Sequence, residues 1–218
     1  MMQKRFVAGI VAVTGVLAAA GLVTARSASA PPASTGVPAV AGIAAEPSCN
    51  QSGCHAGNPV NNGQGMVEVL GLPEEYALGM EYTLTLRVSS SSTAGSGNRR
   101  WGFQVTKFLA SDGKGSQAGG LIPGTSMFRS INFIRDRAYL THTSSILQSG
   151  TATPVEWEFG WTAPEEDRGT VVFSFAGNAA NGDGRNSGDF IYTGVDSVHA
   201  PTVPVEATTW GGVKTREW

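Results

Sequence analysis

The stretch Val155-Glu156-Trp157-Glu158-Phe159-Gly160-Trp161 alternates large apolar residues with glutamates at a period of two. Successive side chains of an extended chain point to opposite faces, so this period belongs to a strand with one buried and one wet side. Residues 82–88 alternate in the same way, and 66–70, 101–109, 138–143, 170–175, 190–193 and 203–207 read as further short strands. Clusters of Gly, Ser, Asn, Asp and Pro at 89–98, 111–120, 148–154, 163–169 and 181–188 separate them. With 29 Gly and 11 Pro in 218 residues, long helices are disfavoured, and no stretch carries a helical period. Regular short strands with such punctuation predict an all-β chain, an immunoglobulin-like antiparallel β-sandwich. Its expected large core members are Trp101, Phe103, Trp157, Phe159, Trp161, Phe173 and Phe175.

The two ends read differently. Lys4 and Arg5 precede an apolar run over 6–23, and Ala28-Ser29-Ala30 forms a small-residue cleavage site, so 1–30 reads as a secretory signal peptide. Membrane attachment is expected only if that leader stays uncleaved, since its apolar run is about long enough to span a bilayer. Residues 31–45, rich in Pro, Ala, Ser, Gly and Val, read as a flexible leader, 46–207 as the β domain, and 208–218 as a C-terminal tail with no assigned role. Removing 1–30 takes Lys4, Arg5 and Arg26 from 15 basic residues and none of the 17 acidic ones, leaving a net charge of −5. A mildly acidic chain is not built to neutralise phosphates, so no nucleic-acid partner is expected. The expected location is periplasmic or extracellular, where disulfides and covalent haem attachment are both open to a cysteine pair.

The chain has two cysteines, and they fall in Cys49-Asn50-Gln51-Ser52-Gly53-Cys54-His55. Three readings fit this C-x4-C-H element. In the first, Cys49 and Cys54 form thioethers to one haem edge and His55 ligates the iron, a variant of the commoner C-x2-C-H spacing. In the second, the cysteines form a simple disulfide and His55 is incidental. In the third, Cys49, Cys54 and His55 join His142 in a tetrahedral zinc site. The Asn/Asp-rich loop over 178–189 has two readings of its own. Oxygen side chains at Asn181, Asp183 and Asp189 could wrap a hard cation such as calcium. A plain turn between strands is the preferred reading, and the loop could also lean against a haem edge. The sequence contains no nucleophile elbow, no H-E-x-x-H and no phosphate loop, and the chain is read as a non-enzyme.

The order of motifs carries a resemblance. Behind the Cys49–His55 element come Trp101-Gly102-Phe103-Gln104-Val105, Tyr139-Leu140-Thr141-His142-Thr143, Trp157-Glu158-Phe159 with Trp161-Thr162-Ala163-Pro164, Gly177-Asn178-Ala179-Ala180-Asn181-Gly182-Asp183-Gly184, and Gly188-Asp189 with Ile191-Tyr192-Thr193. Over about 46–195 this series is similar to bacterial exported proteins with a Reeler-like (reelin N-terminal-like, or choice-of-anchor) domain behind a haem-type motif. The resemblance implies the β-sandwich, preceded by a haem-motif loop, and one c-type haem per chain held by Cys49, Cys54 and His55. It also implies His142 as the second axial ligand, with Met127 as runner-up. His199 is read as structural, and Met66 and Met80 are the remaining candidates. The expected function is electron transfer by a monohaem c-type cytochrome-like protein, with a redox partner protein or copies of itself as partners. The alternative is a non-redox binding or adhesion module clipped by a Cys49–Cys54 disulfide.

Overall fold

The computed structural model describes residues 29–201, apart from 40–41, 52, 93–98, 125–127, 135, 144–145 and 149–152. The leader to residue 28, Met127, the strand expected at 203–207 and the tail at 208–218 therefore lie outside the described residues.

Ten strands follow one another: β1 (Gly65–Leu70), β2 (Glu81–Ser90), β3 (Arg99–Leu109), β4 (Gly120–Ile122), β5 (Phe128–Ile134), β6 (Arg137–His142), β7 (Ile146–Gln148), β8 (Val155–Thr162), β9 (Val171–Ala180) and β10 (Phe190–Val198). They form two antiparallel sheets. One has the order β1-β2-β8-β4, and the other β10-β9-β3-β6-β5, with the short β7 also pairing with β3. No helix occurs among the described residues. The expected all-β sandwich is the architecture found.

Alternation builds the core. On β8, Val155, Trp157, Phe159 and Trp161 are buried while Glu156 and Glu158 face water. Glu156 lies opposite Arg87 of β2 and accepts its Nε–H at 2.6 Å. All seven aromatic residues expected inside belong to one cluster between the sheets. Trp161 stacks on Tyr82 at 5.4 Å and meets Phe173 edge-on at 5.1 Å, and Phe103 leans on Trp157 at 4.9 Å. Each such side chain contributes about 1.5–3 kcal/mol by leaving water. Gly177 of β9 sets the sheet separation locally, because Val88 of β2 occupies the space a Cβ would need there.

The stretch expected as a flexible leader is a packed strap. Ser34, Thr35, Val37, Ile43 and Glu46 are buried. Thr35 bridges Ser48, Gly36 N–H donates to the Pro47 carbonyl at 3.0 Å, and Glu46 N–H donates to that of Val37 at 2.9 Å. Val37 and Ile43 close over Phe108. Beneath the strap Glu46 accepts from Arg137 at 3.1 Å and from the Tyr139 hydroxyl at 2.6 Å, and the Arg137 guanidinium lies over the Phe108 ring at 5.0 Å. Composition misled here because small residues without charge suit a strap lying flat on a sheet as well as they suit a linker.

Candidate functional site

The Cys49–His55 segment is a closed turn. Gln51 N–H donates to Cys49 O at 3.0 Å, Cys54 N–H to Gln51 O at 3.0 Å, and His55 N–H back to Cys49 O at 3.3 Å. Gly53 takes φ +91°, a left-handed conformation that favours glycine. The four-residue gap therefore folds back on itself and brings both cysteines and His55 to one end of the loop. The thiols are free, and Cys49 Sγ–H donates to Ser34 O at 3.4 Å. Burial, with the neighbouring Cys54 adding to it, pushes the Cys49 thiol up to about 12.

His55 is held from both sides. Its Nδ1 lies 2.6 Å from Oδ2 of Asp189, whose side chain is only 1% exposed. Its Nε2 lies 3.1 Å from the Asn178 amide nitrogen. Asp189 is fixed in turn by Asn181 N–H, which donates to its Oδ1 at 2.9 Å. A carboxylate on Nδ1 selects the tautomer whose Nε2 carries the lone pair. Asn178 Oδ1 is buried without a hydrogen-bond partner.

His142 ends β6. Its ring lies against Gly102 of β3, where a Cβ would come within 2.6 Å of Cε1, so a residue without a side chain is required beneath the imidazole. Nδ1 sits 3.0 Å from both the N–H and the carbonyl of Phe103, and either tautomer is held by the same backbone. Burial, together with the nearby His55, lowers the His142 pKa, which favours the neutral, ligating imidazole.

These groups share one cavity of about 180 Å³. Cys49, Cys54, His55, His142, Asn178 and Asp189 all line it. Arg100 and Gly102 of β3 and Asn178 and Ala180 of β9 lie in paired register across its wall. The loop after β9 adds Gly182, Gly184 and Arg185, and the start of the strap adds Ser29, Ala30 and Pro31. Five of the residues singled out from sequence, Cys49, Cys54, His55, His142 and Asp189, thus reach one cavity from distant parts of the chain. The other described candidates do not. Met66 and Met80 are exposed outside the cavity. His199 pairs through its backbone with Glu74 and Tyr76.

The loop expected to wrap calcium uses its oxygens internally. Asn181 Oδ1 accepts from Asp183 N–H at 3.0 Å, Asp183 Oδ1 from Arg185 N–H at 2.8 Å, and Asp189 turns inward to His55. Nor do the four residues of the zinc reading converge: among the described residues no three His, Cys, Asp or Glu side chains are grouped to hold a metal ion. Sequence reasoning missed Asn178, Gly102, Arg100 and Arg185 as parts of the site, and gave Asp189 a different task. Only the reading that the 178–189 loop could lean against a haem edge pointed toward Asn178 and Arg185.

No protein-family model matches the sequence, and neither does any curated protein. Among solved structures the chain is similar to the Reelin-N domain of F-spondin, at 14% identity and a TM-score of 0.43, over 67% of this chain and 93% of that one. It is also similar to a cohesin module from a family 33 glycoside hydrolase of Clostridium perfringens, at 10% identity and a TM-score of 0.41, over 63% and 96%. A third likeness, at 8% identity and a TM-score of 0.44 over 67% and 93%, is to AvmM, described as catalysing macrocyclization in alchivemycin A biosynthesis.

Proposed function

We propose that this chain is an exported monohaem c-type cytochrome-like protein that carries electrons on a β-sandwich. The observation that carries the reading is the cavity shared by Cys49, Cys54, His55 and His142. The donor set fits the group. A bare ion needs its donors on one point, whereas a haem needs thioethers at a ring edge and imidazoles on its two faces. Donors spread around one cavity, not gathered on a point, suit the larger group. A thioether is also uncharged, so the burial that opposes a Cys49 thiolate costs a Cys49 thioether nothing.

In this reading Cys49 and Cys54 tether the haem and His55 and His142 ligate its iron. Bound there, a haem supplies one-electron exchange between ferrous and ferric iron. The chain's own residues set the conditions for it. Asp189 holds the His55 tautomer, and the Asn178 amide that faces Nε2 here would give up that nitrogen to the iron. Phe103 and Gly102 seat His142. The partner is a redox protein, or a second copy of the chain.

The test is a haem stain on a denaturing gel with a pyridine haemochrome spectrum, on protein exported from a host that matures c-type cytochromes. Covalent haem is expected in the wild type and lost in Cys49→Ala with Cys54→Ala, and His142→Ala should convert a low-spin to a high-spin spectrum. A colourless protein two hydrogens lighter than its reduced form would overturn the reading. It would favour a binding module clipped by a disulfide, for which the closed turn joining Cys49 to His55 is suited.

A further inference from the structure

Two arginines line the cavity, and the site as described gives them no task. Arg100 sits on β3 opposite Ala180, the last residue of β9. Arg185 stands in the loop that leaves β9 immediately afterwards. Topology therefore brings both residues to the part of the wall where β9 ends. Three other described arginines are engaged elsewhere. Arg87 meets Glu68 and Glu156, Arg137 meets Glu46, and Arg99 donates to Ser90 O at 2.8 Å. Among the described residues neither Arg100 nor Arg185 has an ion-pair partner. The nearest loop carboxylates are spent elsewhere. Asp183 accepts from the backbone N–H of Arg185, and Asp189 serves His55 and Asn181.

Unpaired cations on the wall of a cavity, with small and aromatic residues (Pro31, Ala180, Trp101 and Phe103) also lining it, define the ligand's chemistry. It has an apolar body and anionic groups on one side. We infer that Arg100 and Arg185 form a carboxylate-recognition subsite that takes the two propionates of a porphyrin. The inference rests on the haem reading above and adds how the ligand is oriented within the cavity. Each planar guanidinium fork matches a carboxylate with two parallel hydrogen bonds, a match that an ammonium only partly replaces.

The experiment titrates haem-free full-length protein with hemin and, separately, with hemin dimethyl ester, which keeps the macrocycle but lacks both carboxylates. Tryptophan quenching reports binding. Wild type is expected to prefer hemin by about tenfold or more, as charge-assisted hydrogen bonds imply. In the R100Q/R185Q double variant the preference should vanish while affinity for the ester stays unchanged, and R100K/R185K should restore part of it. A merely structural role would move both porphyrins together. Equal binding of both by wild type, or a hemin preference that survives in R100Q/R185Q, would overturn the subsite while leaving a positive haem stain standing. No binding of either porphyrin, with a negative stain, would overturn the haem reading and the subsite together.

Discussion

At the scale of single residues, residue type and spacing singled out the cysteine motif, the family resemblance singled out His142, and the fold brings both to one cavity. The role of Asp189 was not legible in the sequence. Its partner His55 lies 134 residues earlier, and an Asp in a Gly/Asn loop looks the same in sequence whether it caps a turn or orients an imidazole. Asp189→Asn should leave the fold intact and weaken the hold on His55. In the haem-loaded protein, added imidazole should then displace His55 at about 10–100-fold lower concentration than in wild type, read from the Soret band. A second residue makes a prediction about stability. Lys107 is fully buried and its Nζ has no hydrogen-bond partner, and burial pulls its pKa from 10.5 down to about 7. The unfolded chain therefore binds the extra proton between about pH 7 and 10.5, and stability rises with pH across that window. Below it both states are protonated and the penalty is complete. Lys107→Met should stabilise by about 1–3 kcal/mol at pH 6 and by progressively less toward pH 10.5, measured by urea unfolding at each pH.

At the scale of elements, strands with clean alternation were read within a few residues of their true ends. β9 and β10 run five residues beyond the expected 170–175 and 190–193. Gly177 and Gly194 each sit inside a strand where another side chain, Val88 or Phe175, fills the space of a Cβ. β5 escaped notice because a register shift between Ile131 and Ile134 breaks the period of two. β4 and β7 are three residues each, too short for a pattern. The strap over 31–48 was hidden by its composition, and its buried ion pair gives the sharpest test of its packing. Glu46→Ala leaves Arg137 and Tyr139 without their shared acceptor in a dry layer. It should cost about 3–5 kcal/mol in chemical denaturation, while Glu46→Ala combined with Arg137→Met should recover much of that.

At the scale of the whole molecule, the residues around the expected cleavage point matter to the site. Ala30 packs against the small cluster of Cys49, Ala176 and Ile191, and neither Ser29 nor Ala30 makes a hydrogen bond among the described residues. Pro31, by contrast, is anchored, because Gln104 Nε2–H donates to its carbonyl at 2.9 Å. A chain beginning at Pro31 should therefore expose Cys49, whose thiol would ionise more readily. Its alkylation by iodoacetamide, followed by mass spectrometry, should run several-fold faster than in a chain that keeps Ser29 and Ala30. The other half of the site follows much later in the chain: His142, Asn178 and Asp189 all lie beyond the middle of the sequence. A chain that crosses a membrane from its N-terminal end delivers the two thiols well before the groups that wall them in. Sandwiches built on such distant pairings close in milliseconds to seconds. The wide sequence separation within the site thus sets a clock. In an exported chain the thiols would stand open for that interval to any enzyme that attaches a group to them, and a substitution that hastened folding would shorten it.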